Sequence, residues 1–108
     1  MRDQPAKMLA LHFTERDRHD GKPLYEAIVE KCRELKIAGA TVFRGLEGYG
    51  DTAEIRRSHV LTHDLPIVVQ IVDSAETIGR LLPVVEQMID TGLIAISDVT
   101  IARIQNAT

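Results

Sequence analysis

The 108 residues predict an α+β sandwich, with two helices on one face of a four-stranded antiparallel sheet. Two observations predict it. The order apolar strand, amphipathic helix, apolar strand occurs twice, in halves of similar length. A glycine-studded polar segment from Arg44 to Thr62 separates the halves. Right-handed strand–helix–strand crossovers put both helices on the same side of the sheet, so βαββαβ is the ferredoxin-like arrangement. A chain of this length builds one core, hence a single domain over 1–108.

Each element has a local reason. Lys7 to Phe13, KMLALHF, is a short apolar run between polar residues, which suits a strand. The following TERDRHDGKP is charged and holds Gly21 and Pro23, so it reads as a loop. Pro23 is placed at the first turn of a helix, where its missing N–H costs nothing. Leu24, Ala27, Ile28, Cys32 and Leu35 then follow helical spacing. Gly39 ends that helix, and Ala40 to Phe43 is the second strand. Pro66 opens the third, IVVQIVD, at a position where a strand tolerates proline. Asp73, with Glu76 three residues on, predicts a helix N-cap with a capping-box partner. Ile78, Leu81, Leu82, Val85, Met88 and Ile89 form the second helical stripe. Pro83 lies within it and predicts a kink, because its ring opposes the Gly79 carbonyl. Gly92 ends the helix, and LIAISDVTIARI supplies the last strand, bent at Ser97–Asp98.

Two helices cover only one face, yet the strands are apolar on both. Met8 and Ala10 alternate with Leu9, Leu11 and Phe13, and Val68 and Val72 alternate with Ile67, Val69 and Ile71. A solvated face alternates with polar residues instead. No spare element of the chain can cover the second face, so another copy of the same sheet through cyclic symmetry is the expected cover. The alternative is a weakly apolar exposed face.

Composition narrows the function. A net charge of −3 argues against nucleic-acid binding, which needs a basic footprint. No apolar run reaches the roughly 18 residues of a membrane span. The N-terminal MRDQPAKMLALHF is too short and interrupted for a signal peptide. The single cysteine, Cys32, excludes an internal disulfide and fits a reducing cytosol; on a helix it reads as a small core residue. The expectation is a cytoplasmic domain without direct membrane insertion.

The long segment is the main candidate for function, since loops beyond about 12–15 residues are uncommon in compact domains. Gly45, Gly48 and Gly50 can turn backbone N–H groups toward an anion or let the loop change shape; the alternative is an ordinary turn at a strand end. Their spacing is not the dinucleotide fingerprint. Arg44, Arg56, Arg57, His59 and His63 lie on or beside the loop, and Arg18 and Lys22 lie in the first strand–helix connection. Arginine suits bidentate contact with phosphate or carboxylate. Glu47, Asp51, Glu54 and Asp64 can equally pair with these cations as a solvated surface. His59 and His63 have the i, i+4 spacing of helical metal ligands, with no HExxH or CxxC to complete a site. The serines Ser58, Ser74 and Ser97 have no base and orienter beside them in sequence. Glu15, Asp17 and Asp20 lie in a loop without an apolar setting to separate their pKa values. No catalytic arrangement emerges.

The segments GKPLYEAIV, GATVFRG and DLPIVVQIVDS carry a family resemblance that runs from about Ala6 to Ile104. The chain closely resembles the uncharacterised domain-of-unknown-function family 190 of the PII-like (GlnB-like) superfamily. The resemblance implies a homotrimer whose sheets face the threefold axis, and a long loop, here Arg44 to Thr62, that contacts partner proteins. It also implies nucleotide effectors in clefts between subunits near the loop base, and a membrane transporter or channel as partner. One departure stands out. The glycine-rich phosphate loop of PII proteins corresponds here to Asp90-Thr91-Gly92 alone, too short to cradle a triphosphate. A mononucleotide or another small anion stays open.

The sequence therefore predicts a non-enzymatic PII-like regulatory trimer with no certain cofactor. Its anionic effector, a nucleotide among the candidates, would meet Arg44, Gly45, Gly48, Gly50, Arg56, Arg57 and Lys22. The alternatives are a CutA-like metal-binding trimer using His59 and His63 with an acid such as Asp64 or a residue of the neighbouring chain, or a small ferredoxin-fold enzyme with an enclosed apolar pocket.

Overall fold

The computed structural model describes residues 4–49, 55–57 and 64–106. The elements run β1 (Gln4–Thr14), β2 (Arg18–His19), β3 (Lys22–Pro23), α1 (Leu24–Glu34), β4 (Ala40–Arg44), β5 (Glu47–Gly48), β6 (Arg56–Arg57), β7 (Pro66–Asp73), α2 (Ala75–Met88) and β8 (Leu93–Ile101). Four of the strands form one antiparallel sheet in the order β4-β7-β1-β8, with both helices in one core with it. The expected βαββαβ sandwich is present.

Strand registers separate the two faces. One set of rows, Leu11–Val69–Val42–Ile94 and Leu9–Ile71–Ala40–Ile96, lies on the helix side. Its centre packs against Ile28, Ile78, Leu81 and Val85 of the helices. Burying each of these aliphatic side chains contributes about 1.5–3 kcal/mol. The other set is Phe43–Val68–His12–Leu93, Thr41–Gln70–Ala10–Ala95 and Val72–Met8–Ser97. Phe43 is 50% and Leu93 61% exposed, whereas every residue of the Leu11–Val69 pair is sealed from solvent. This helix-distal face mixes apolar residues with His12, Thr41, Gln70 and Ser97, so it is less uniformly apolar than the sequence suggests.

Several element boundaries differ from expectation for physical reasons. The segment read as a loop before α1 contains a hairpin, β2–β3, closed by the two-residue turn Asp20 (φ 48°) and Gly21 (φ 81°). Positive φ at both positions is the type I′ geometry that matches the twist of paired strands. Pro23 sits at the N-cap of α1, with φ −54° and ψ 135°, rather than inside its first turn. Helix α1 stops well before Gly39. Lys36 takes the left-handed conformation at φ 61° and donates its N–H to the Arg33 carbonyl, while the Ile37 N–H reaches Cys32. These two bonds make a Schellman cap, with Ile37 packed on the core.

The second helix is capped by Ser74, not Asp73. The Ser74 Oγ accepts the Thr77 N–H at 3.2 Å. Glu76 pairs with Arg80 instead of closing a capping box. Asp73 accepts from the N–H groups of Ser74 (2.7 Å) and Ala38 (2.9 Å), which ties the start of β4 to the end of β7. α2 continues through Pro83 without a break. It ends at Met88 with Ile89 as C-cap, ahead of Gly92. A Cβ on Gly92 would lie 2.5 Å from the His12 carbonyl oxygen, so this connection needs glycine to pass over β1. Pairing of β8 with β1 runs uninterrupted through Ser97 and Asp98, where Lys7 bonds Asp98 across the strands.

Candidate functional site

The ladder that ends the sheet also forms the base of the long loop. Beyond β4, the Gly45 N–H donates to the Pro66 carbonyl at 2.7 Å. Beyond β1, the Glu15 N–H donates to the Leu65 carbonyl at 2.8 Å. Leu65 is buried, so the chain leaves the loop anchored on both sides. Pro66 lies flat against the loop entrance: a Cβ on Gly45 would meet its Cγ at 2.7 Å, and one on Gly48 at 3.2 Å. These two glycines thus have a packing reason at positions where the sequence suggested mobility.

Glu15 is the hinge of this base. Its Oε1 lies 3.2 Å from Arg44 Nε, and its Oε2 accepts the Leu65 N–H at 3.2 Å. One carboxylate therefore holds the residue that enters the loop and the residue that leaves it. The Arg44 side chain is 58% exposed and that of Glu15 only 19%. Asp17 sets the turn from which Glu15 projects: it accepts the Thr14 N–H at 2.8 Å through its carboxylate, and the Leu24 N–H at 2.8 Å through its carbonyl.

Within the loop, β5 and β6 form a short ribbon in which Glu47 faces Arg57 and Gly48 faces Arg56. Arg57 Nε and Glu47 Oε1 are 2.8 Å apart. The ribbon presents Leu46, Tyr49 and Ile55 to solvent.

The structure brings Arg44, Gly45, Gly48 and Arg57 to this base and its ribbon. Lys22 belongs elsewhere: its Nζ donates to Glu30 of α1 at 2.7 Å, and that carboxylate pushes the ammonium pKa up. Arg44, Arg57 and Lys22 are all carboxylate-paired, the solvated-charge alternative to a ready-made anion site. Gly50, His59 and His63 lie outside the described residues. Among the described residues, no group of three or more His, Cys, Asp or Glu side chains is placed to hold a metal ion.

Glu15 is the site residue that the sequence does not single out. As one of several acids in a charged loop it had no distinguishing neighbour. Its signal was positional: counting the β1–β7 register one step past Thr14 and Pro66 sets it opposite Leu65. Elsewhere, residues 101–104 leave β8 and line an open depression with Thr41, Gln70 and Val72 of the helix-distal face. The connection from α2 to β8 is short and lies against the β1 backbone, with no glycine-rich phosphate loop.

Comparison with known proteins agrees with this fold. The model of domain-of-unknown-function family 190, described as "Uncharacterized ACR", matches residues 6–101. The UPF0166 protein of Aquifex aeolicus (strain VF5) is 39% identical over 103 residues, covering 94% of this chain and 97% of that one. CPII of Thiomonas intermedia K12, a nitrogen regulatory PII-like protein bound to ADP, AMP and bicarbonate, superposes with a TM-score of 0.66 at 20% identity, covering 92% of this chain and 90% of the other. The divalent ion tolerance protein CutA1 of Ehrlichia chaffeensis gives 0.64 at 17% identity, covering 95% and 87%. At these identities the two structural likenesses are of fold: the sandwich is PII-like.

Proposed function

The chain belongs to domain-of-unknown-function family 190, and from that premise we propose that it is a non-enzymatic, PII-like regulatory protein. It binds a small anionic effector at the base of its long loop and contacts a partner protein through that loop. The observation that carries this reading is Arg44, more than half exposed at the loop entrance and tethered through Glu15 to the loop exit. A guanidinium there offers a fork of donors to phosphate or carboxylate. An anion bound to it acts on both ends of the loop. To work as a switch the effector must favour one loop arrangement over the other, since equal affinity for both shifts nothing.

The effector class follows from what surrounds Arg44. CPII, of the same fold, holds ADP, AMP and bicarbonate. The short α2–β8 connection of this chain lacks the backbone for a triphosphate cradle, so a mononucleotide or a smaller anion fits better than ATP. The protein acts as a cytoplasmic homotrimer with the helix-distal sheet faces turned inward. Exposed Leu46, Tyr49 and Ile55 make the ribbon a protein-contact surface, with a membrane transporter or channel as the partner class.

The test is isothermal titration of the purified protein with ATP, ADP, AMP and bicarbonate, repeated with Arg44→Ala. Saturable binding of one ligand per subunit, weakened at least tenfold in the variant, is the expected result. An absence of binding by all four refutes the effector reading and leaves the loop as a constitutive docking element.

A further inference from the structure

Arg44 already has an anion. Glu15 presents one carboxylate oxygen to the Arg44 Nε at 3.2 Å and the other to the Leu65 N–H at 3.2 Å. The acid is mostly buried and the base mostly exposed, so the carboxylate approaches Arg44 from the protein side while solvent reaches it from the other. Glu15 is also held by its backbone, whose N–H bonds the Leu65 carbonyl, and by the Asp17 turn that precedes α1. It is a pre-positioned group rather than a mobile surface acid, and it takes up the Nε side of the guanidinium that the proposed effector needs.

We infer that Glu15 is an intramolecular competitor for the effector site, and that its displacement from Arg44 is the event that changes the loop base. The inference rests on the proposed function and adds its regulation. In the free protein the Glu15 carboxylate bridges entry and exit of the loop. An anion arriving at Arg44 adds a second negative charge beside Glu15, which is repulsive at such distances. The carboxylate withdraws from Arg44, and the bridge between Arg44 and Leu65 opens. Two states of the loop base then differ in which anion Arg44 holds, which gives the effector the differential affinity a switch requires. The same competition sets specificity: an anion must outcompete a tethered carboxylate, so phosphate groups with higher charge are favoured over singly charged carboxylates.

The charge and the scaffold role of Glu15 can be separated by Glu15→Gln, which keeps an acceptor for the Leu65 N–H and removes the competing charge. Titrations of the full chain with ADP, AMP and inorganic phosphate compare wild type, Glu15→Gln, Arg44→Ala and the double variant. Circular dichroism and the urea midpoint establish that each is folded. The expected result is tighter binding by Glu15→Gln, by about two- to fivefold, the range of a partly exposed ion pair. The double variant should bind as weakly as Arg44→Ala, because Glu15 acts only through that arginine. Equal or weaker binding by Glu15→Gln, with binding still lost in Arg44→Ala, overturns the competitor role and leaves the proposed function standing. A gain in the double variant equal to that in Glu15→Gln overturns it too, since the charge then acts without Arg44. No binding of these three ligands by any of the four proteins overturns the inference, and the effector reading falls with it when ATP and bicarbonate also fail to bind.

Discussion

Lys36 shows how a single residue can carry a cost that sequence patterns hide. It sits at φ 61° in the left-handed region, where a side chain costs roughly 1–2 kcal/mol and glycine does not. Its exposed side chain has no role in the cap, whose bonds are all backbone. Lys36→Gly should stabilise the fold by about 0.5–1 kcal/mol after the added freedom of the unfolded chain is subtracted. A rise in the urea midpoint at fixed protein concentration checks it. Cys32 is the opposite case, a residue read correctly as a small core side chain. It is buried in α1, and burial pushes its thiol from 9.0 to about 11. Because the folded pKa is raised, the unfolded chain loses its proton first as pH rises. Stability is therefore unaffected below about pH 9 and falls between about 9 and 11, by up to roughly 2–3 kcal/mol. Urea titrations across this range should show a larger loss in wild type than in Cys32→Ala.

At the scale of elements, periodicity was the reliable guide and punctuation the weak one. The helical stripes from Leu24 to Cys32 and from Ile78 to Met88 and the apolar strand runs appear where the pattern puts them, because burial of a whole face outweighs any single residue's preference. Leu35, expected in the first stripe, is instead an exposed C-cap residue, and Ile89 is the C-cap of α2. The stops and caps shifted instead. Gly39 yielded to Lys36, Asp73 to Ser74, and the charged connection folded into a hairpin on its Asp-Gly pair. Each is a choice among adjacent polar residues that differ by about 1 kcal/mol, which tertiary contacts settle. Pro83 illustrates the converse. Its exposed ring interrupts the hydrogen bonding of α2 at the Gly79 carbonyl, yet Leu81, Val85 and Met88 keep the helix on the core. Pro83→Ala restores that bond and, with the ring exposed, loses little buried surface. It should stabilise by about 1–3 kcal/mol, read from the urea midpoint.

The whole molecule presents an unequal pair of sheet faces. The helix side is sealed at its centre, where Leu9, Leu11, Val69 and Ile71 are buried, and opens at its β8 edge, at Ile96. The other side leaves Phe43 and Leu93 in one row with Val68 and His12. If those faces meet around a threefold axis, a charge in that row is desolvated on assembly at a cost of several kcal/mol. Sedimentation velocity should give a trimer for wild type and a folded monomer for Phe43→Asp/Leu93→Asp, with helix content unchanged by circular dichroism. A monomeric wild type would count against the trimer.

Alternating apolar residues, two helical periods and the segments GKPLYEAIV, GATVFRG and DLPIVVQIVDS were enough to determine the sandwich and the family, because both depend on patterns local in sequence. The loop base was only half legible. Arg44 stood out as a cation at the end of an apolar strand, but its partner Glu15 and its link to Leu65 did not. Those three residues come from three separate stretches of chain, brought together where β1, β4 and β7 end side by side. Local propensity carries no information about which acid among Glu15, Asp17, Asp20 and Glu47 will lie within 4 Å of a given arginine. Strand register decides that, and register is a property of the folded sheet.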